Sequence, residues 1–268
     1  LALDCSRLTL QAIMITIQNA ILVTGGGSGI GRGLAEAFHR LGNQVIISGR
    51  GQKALDETVA ANPGMKSVTL DVSDPKSIQT FAAQVTKDYP SLNVLINNAG
   101  IMRPENLLEN GKDLSVVDST VATNLLGPIR LTNALLPLLR KQPRAAIINV
   151  SSGLAFVPLA VTPTYCATKA AIHSYGQSLR YQLKSTNVEV IEIIPPYVAT
   201  MLMGQQQATD PNAMPLNEFI AEVMEILTTQ PNVKEVCVKK VHPLRFAAEG
   251  GQEKYESFFE QFNDRMHK

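Results

Sequence analysis

The sequence predicts one α/β domain, a parallel sheet wound with helices on both faces. Three observations carry this. Short apolar runs recur at 20–23, 44–48, 67–70, 92–96, 145–150 and 188–194. Runs this continuous fit strands buried on both faces, as in parallel sheets. Helix-length stretches fall between them, which is what parallel neighbours need as crossovers. The first run leads straight into a glycine-rich turn and then a helical pattern, at Thr24-Gly25-Gly26-Gly27-Ser28-Gly29-Ile30-Gly31.

The bulk numbers fit one such domain. The chain has 268 residues, 45% hydrophobic and 18% charged, with a net charge of +1. That length can bury a sizeable core. A near-neutral chain without basic runs gives no sign of nucleic-acid or anionic-membrane binding. No apolar stretch approaches the ~20 residues of a membrane-spanning helix. Cys5, Cys166 and Cys237 form an odd set without metal-ligand spacing, so reduced thiols and a cytoplasmic location are expected. Residues 1–19 read as an N-terminal extension, with Met14 as a natural start. The domain is expected over 20–268.

The glycine turn has the context of a dinucleotide site. Glycines let a backbone approach a pyrophosphate, and the following helix offers free N–H groups and a positive dipole end. After the second strand the place of a ribose-binding acid is taken by Gly49, and Arg50 follows. A guanidinium binds a 2′-phosphate where a carboxylate would repel it, so this pair favours NADP. A helix is expected at about 51–61 and a third strand at 67–70. Asp71-Val72 follows, where Asp71 reads either as a ligand-side acid or as a cap beside Ser73-Asp74-Pro75. Another helix covers 76–88. The fourth strand runs into Asn97-Asn98-Ala99-Gly100, with small residues for close approach and amides to tie strands together. A long helix is expected from about 113 to 139, carrying Asn124 and Gly127.

The fifth strand, 145–150, leaves Ser152 at its carboxyl end. Thirteen residues on stands Tyr165, and Lys169 follows at the next helical turn. Four residues on a helix span about 6 Å of rise and 40° of rotation, so Tyr165 and Lys169 share a face. An ammonium beside a phenol favours the phenolate and lowers its pKa. Between Ser152 and Tyr165 lies an apolar loop, 153–164, for which two readings stand: a greasy substrate pocket, or a core or subunit contact. Cys166 reads as a small packed side chain, and His173, a further turn along the helix, is not read as catalytic.

These motifs together resemble the short-chain dehydrogenase/reductase family. The form Thr-Gly-x-x-x-Gly-x-Gly, the Asn-Asn-Ala-Gly signature, the helix asparagine, the serine and Tyr-x-x-x-Lys all occur in the family's order, over about residues 20 to 245. The stretch 152–171 and Pro243-Leu244-Arg245-Phe246 further resemble a bacterial subgroup named for an oxidoreductase of the lipoteichoic-acid D-alanylation operon. The resemblance implies a single Rossmann-type domain that transfers hydride between NADP(H) and a carbonyl/secondary-alcohol pair. It implies Tyr165 as acid or base, Lys169 lowering its pKa and holding the nicotinamide ribose, Ser152 on the substrate oxygen, and Asn124 supporting a water relay. Cofactor contacts fall on Gly25, Gly27, Ser28, Gly29, Ile30 and Gly31, on Arg50, Asp71 and Val72, and on Asn98, Ala99, Gly100 and Val150. They continue through Tyr165, Lys169, Pro195, Val198 and Thr200.

Relatives usually have Pro-Gly where this chain has Pro195-Pro196, so a different local path is expected there. Residues 197–215, with Met201, Leu202 and Met203, read as a substrate lid or an amphipathic surface helix. A helix near 216–229, a short strand around 235–241 and an amphipathic tail helix close the chain. The tail either docks on its own domain or reaches a neighbouring subunit. The expected substrate is an apolar ketone, aldehyde or keto ester, and the expected assembly a homodimer or homotetramer. Two other readings stay open: a catalytically silent NADP-binding sensor or scaffold, and an NAD-dependent alcohol dehydrogenase.

Overall fold

The structure is a computed structural model that describes residues 16–108 and 113–266. Cys5, Met14 and the first fifteen residues of the expected extension lie outside the described residues. Seven strands form one all-parallel sheet: β1 (Ala20–Thr24), β2 (Gln44–Gly49), β3 (Lys66–Thr69), β4 (Val94–Asn97), β5 (Ala145–Val150), β6 (Val188–Ile194) and β7 (Glu235–Cys237). Their order is β3-β2-β1-β4-β5-β6-β7. The chain therefore reverses direction across the sheet between β1 and β4. Carboxyl strand ends at such a switch point form the ligand crevice of open α/β sheets.

Helices α1 (Gly29–Arg40), α2 (Gln52–Ala61) and α3 (Pro75–Asp88) follow the first three strands. The crossover from β4 to β5 is α4 (Ser115–Val121), a π-turn at Ala122–Leu126 and α5 (Gly127–Leu139). The long helix expected from the sequence thus exists, with a bulge at Asn124. After β5 come α6 (Pro163–Gln182), and then past β6 α7 (Gln205–Thr209) and α8 (Leu216–Thr229). The chain closes with α9 (His242–Arg245) and α10 (Gln252–Met266). Helix starts follow local chemistry: the Asp74 carboxylate accepts from Lys76 N–H at 2.9 Å, with Pro75 at the first helical position.

Strand residues alternate between two cores, one on each face. Ile21, Val23, Val45, Ile47, Ile148 and Ile193 join Phe38 and Phe219 on one side. Leu22, Ile46, Leu95, Ile147 and Val190 join Phe81, Leu131 and Leu179 on the other. Burying these side chains contributes about 1.5–3 kcal/mol each before conformational entropy is offset. Both faces are covered, which is why the strands read as unbroken apolar runs.

The expected boundary at residue 20 shifts. Thr16 and Asn19 are buried, and Asn43 Nδ2 donates to Thr16 O at 2.7 Å while Asn43 Oδ1 accepts from Asn19 N–H at 2.9 Å. Residues 16–19 therefore belong to the fold. Among the described residues no helix is long and apolar enough to cross a membrane. Cys166 and Cys237 are free thiols.

Candidate active site

Two adjoining cavities lie along the carboxyl ends of the strands, of about 390 and 470 Å3. They meet at Gly25, Ser28, Ala99, Gly100 and Ile101, which line both. The smaller holds Ser152, Tyr165 and Lys169; the larger runs over β2 and β3.

The turn between β1 and α1 forms their shared floor. Gly25 sits at φ +68°, which a side chain would strain. A Cβ on Gly31 would come within 2.3 Å of both Gly25 O and Asn98 Nδ2, so α1 can press against the turn only with glycine there. Thr24 locks this floor to β4: its Oγ1 accepts from Asn98 and Ala99 N–H, both at 3.0 Å, and its carbonyl accepts from Asn98 Nδ2 at 2.9 Å. Sequence reasoning quoted Thr24 within the glycine motif without giving it a role. The expectation that the amides tie strands together is met by Asn97 Nδ2, which donates to Asn149 Oδ1 at 2.9 Å and Thr132 Oγ1 at 3.0 Å. With α1's N-terminus at this floor, the cradle fits a pyrophosphate.

Ser48, Gly49, Arg50, Asp71, Val72 and Thr123 line the larger cavity, with Arg50 exposed. Both sequence readings of Asp71 hold at once. It lines the cavity, yet its Oδ1 accepts from Ser73 N–H at 2.9 Å and Ser73 Oγ at 2.7 Å as a loop cap. Burial raises its pKa, but the Ser73 bonds and the Arg50 guanidinium outweigh that and leave it below the ordinary carboxylate range.

In the smaller cavity Ser152, Tyr165 and Lys169 come together with Val150, Pro195, Pro196, Val198 and Thr200. Ser152 and Tyr165 are 7% and 6% exposed and Lys169 is 5% exposed, so the whole set is desolvated. Lys169 Nζ donates to Val150 O at 2.8 Å and lies 5.6 Å from the centre of the Tyr165 ring. The shared helical face predicted from the spacing is present. The predicted fall in the tyrosine pKa is not. Burial pushes the Tyr165 phenol above its ordinary range; the hydrogen bond with Ser152 pulls the other way and Cys166 adds to the rise. Burial lowers Lys169 to about 8, with Glu192 acting to raise it. Desolvation of both groups outweighs their mutual influence.

Asn124 stands in the π-turn. Its Oδ1 accepts from Ile101 N–H at 2.9 Å, and its Nδ2 donates to Ile101 O at 2.8 Å and Thr168 Oγ1 at 3.4 Å. The amide is therefore spent on fixing the segment after Gly100 and on α6. Any support of a water would come from the backbone that this bulge rearranges.

The apolar loop resolves in favour of a core contact. None of its residues 153–164 lines the smaller cavity. Leu154, Leu159 and Val161 pack instead with Met102, Cys166 and Phe262 of α10. Tyr255 OH donates to Phe156 O at 3.2 Å, and Asn263 Oδ1 accepts from Ala160 N–H at 2.6 Å. The tail helix thus docks on its own domain. The cavity's apolar wall comes from Ile101, Met102, Val198, Met201 and Leu202. Cys166 is a packed side chain, accepting from Leu159 N–H at 3.3 Å. His173 is only half-buried and pairs within the chain, through Nδ1 to Glu192 Oε2 at 2.8 Å.

One positioning residue escaped the sequence reading. Gln207 of α7 is buried; it donates to Val198 O at 2.8 Å and Thr200 Oγ1 at 3.3 Å, and accepts from Met203 N–H at 3.0 Å. Its only sequence signal was its place among three glutamines in the expected lid.

A parallel switch-point sheet, a glycine cradle and a buried Ser-Tyr-Lys set define a nucleotide-cofactor oxidoreductase of the Rossmann class. The comparisons give the family. The model of the family described as short chain dehydrogenase matches residues 19–211, and the chain belongs to that family. It is 39% identical over 248 residues to the uncharacterized oxidoreductase DltE of Bacillus subtilis (strain 168), covering 91% of this chain and 96% of that protein. That relative carries the name of the D-alanylation operon subgroup noted from the sequence. Two solved structures share the fold. A Burkholderia phymatum short chain dehydrogenase/reductase in complex with NAD has a TM-score of 0.76 at 21% identity, over 86% of this chain and 93% of that one. A Burkholderia cenocepacia short chain dehydrogenase in complex with NADP has a TM-score of 0.76 at 23% identity, over 90% and 97%.

Proposed function

We propose that this oxidoreductase is an NADP(H)-dependent carbonyl reductase and secondary-alcohol dehydrogenase acting on an apolar ketone, aldehyde or keto ester. The observation that carries the reading is the convergence of Ser152, Tyr165 and Lys169 in one desolvated cavity beside the glycine cradle. Bound in that cradle, the cofactor supplies or accepts the hydride. The chain's own residues do the rest. Ser152 Oγ donates to the substrate oxygen and orients it. The Tyr165 hydroxyl gives its proton to that oxygen in reduction and takes it back in oxidation. Lys169, held at Val150 O, stabilises the phenolate left behind and would hold the nicotinamide ribose. Burial keeps the Tyr165 phenol protonated until it reacts, and an ammonium beside it limits the cost of giving the proton up.

Arg50 at the rim of the larger cavity supports NADP over NAD, because it offers a fork of donors where a 2′-phosphate would lie. Met102, Met201 and Leu202 support an apolar substrate, since thioether and branched side chains adapt to greasy surfaces. The reading implies a cytoplasmic enzyme, and a homodimer or homotetramer testable by light scattering.

The test is consumption of NADPH and of NADH with a panel of aromatic and aliphatic ketones, aldehydes and keto esters. Turnover with NADPH and not NADH is the expected result. Turnover with NADH alone would overturn the role of Arg50 and keep the enzyme. Cofactor binding without turnover on any member of the panel would overturn the reductase.

A further inference from the structure

Beneath α6 a row of polar residues crosses the sheet. Asn97 of β4 is in register with Asn149 of β5, Asn149 with Glu192 of β6, and Glu192 with Glu235 of β7. The strand alternation puts Glu192 on the side of Val188 and Val190, the face that packs against Leu179 of α6 and Leu183 just past its end. A carboxylate in that place is costly: Glu192 is 2% exposed, and its Oε1 has no hydrogen-bond partner among the described residues. Its Oε2 is held at 2.8 Å by His173, one helical turn beyond Lys169. The strand position next to its partner Asn149 is Val150, whose carbonyl receives the Lys169 ammonium.

The neighbouring carboxylate is already neutralised. Arg245 of α9 binds both oxygens of Glu235, at 2.7 and 3.2 Å. Glu192 has no such fork. The groups that face it are His173 and Lys169 from α6, Glu235 and Cys237 from β7, and Arg245 from α9. Lys169 is a buried ammonium with a single backbone acceptor, and a buried cation needs a counter-charge. Lys169 faces the Tyr165 ring, 5.6 Å from its centre, and Glu192, held by His173 one turn along the same helix, acts to raise its pKa.

We propose that Glu192, oriented by His173, is a positioning residue that supplies the counter-charge keeping Lys169 an ammonium. This rests on the reductase reading, and it adds a residue that the Ser-Tyr-Lys motif does not contain. His173 tunes the effect. A permanent cation at 173 would offset the carboxylate's charge at Lys169.

The sign follows from Lys169, which burial holds near about 8. Reduction needs the ammonium, so kcat falls as pH rises through that value. Removing the counter-charge lowers the Lys169 pKa further and moves the alkaline limb to lower pH. The experiment measures kcat against pH, and in parallel NADPH affinity against pH by nicotinamide fluorescence. The proteins are wild type, Glu192→Gln, His173→Arg and His173→Gln. Glu192→Gln and His173→Arg should each shift the limb down by about half to one unit, a loss of about 3- to 10-fold at pH 9, in both readouts. His173→Gln should leave it in place. An unmoved limb in folded Glu192→Gln overturns the proposal. If that variant does not fold, an unmoved limb in His173→Arg does so. An equal shift in His173→Gln, which keeps the Glu192 charge, also overturns it, as a mere loss of packing. A wild type that binds NADPH but reduces nothing sinks the reductase reading instead, while the binding limb still judges Glu192.

Discussion

The two halves of the cleft share a floor and differ in their exposure to water. At the reaction end Ser152, Tyr165 and Lys169 are each less than a tenth exposed, and Lys169 is held on a strand-end carbonyl. At the other end Arg50 is exposed, and Asp71, which lines the cavity, is only half-buried with its Oδ1 held by Ser73 in a cap. A desolvated group acts through a low local dielectric, so removing it removes nearly its whole effect. An exposed charge is screened, and its removal costs a fraction. The difference predicts steep consequences at one end and graded ones at the other.

The steepest is Tyr165→Phe. It keeps the ring that packs with Met102, Leu159 and Cys166 and removes only the hydroxyl. General acid catalysis contributes about 10²–10⁴-fold, so kcat should fall by about 10³ while NADPH affinity stays within about 3-fold. Stopped-flow hydride transfer and fluorescence titration separate the two quantities. A variant keeping most of its kcat would end the assignment and leave a binding protein.

Next is Arg50→Ala. A charge-assisted bond is worth about 1.5–3 kcal/mol, reduced at an exposed site, so KM for NADPH should rise about 10-fold with NADH parameters unchanged. High salt should shrink that ratio. If Arg50→Ala affects both cofactors alike, the guanidinium supports the local fold and reads no phosphate.

Most of the fold was legible because its strands are buried on both faces. Runs such as 145–150 then need no alternation to be seen. The pairing of Tyr165 with Lys169 was legible because they lie one turn apart on a single helix, so spacing alone sets their shared face. What spacing cannot carry is the balance of burial against charge. The phenol was expected to fall and instead rises, because Tyr165 lies in a closed apolar cluster that only the folded chain creates. The loop at 153–164 reads as greasy in any context. Its partner, α10, is about a hundred residues away, as the Asn263–Ala160 bond shows. Glu192 looks like one acid in a strand until β7 and α6 bring Glu235 and His173 beside it.

The smallest effect concerns the join between the reaction cavity and its cover. Met201 and Leu202 line that cavity, but both remain partly in water. What fixes them is Gln207, whose amide spans Val198 O, Thr200 Oγ1 and Met203 N–H. Gln207→Ala leaves a buried carbonyl and an N–H without partners, and the cover loosens at both ends. Gln207→Glu keeps the acceptor for Met203 but loses the donors to Val198 and Thr200. A loosened cover weakens substrate contact before it disturbs the Tyr165–Lys169 geometry, which belongs to α6. Substrate KM should therefore rise about 3- to 10-fold in both variants, by the loss of one or two buried hydrogen bonds, with kcat changing less than 2-fold. Glu should fall between Ala and wild type if the Met203 bond carries a share. A fall in kcat equal to that in kcat/KM would mean that the segment acts in the transition state, and the cleft would then be desolvated by its cover as well as by its floor.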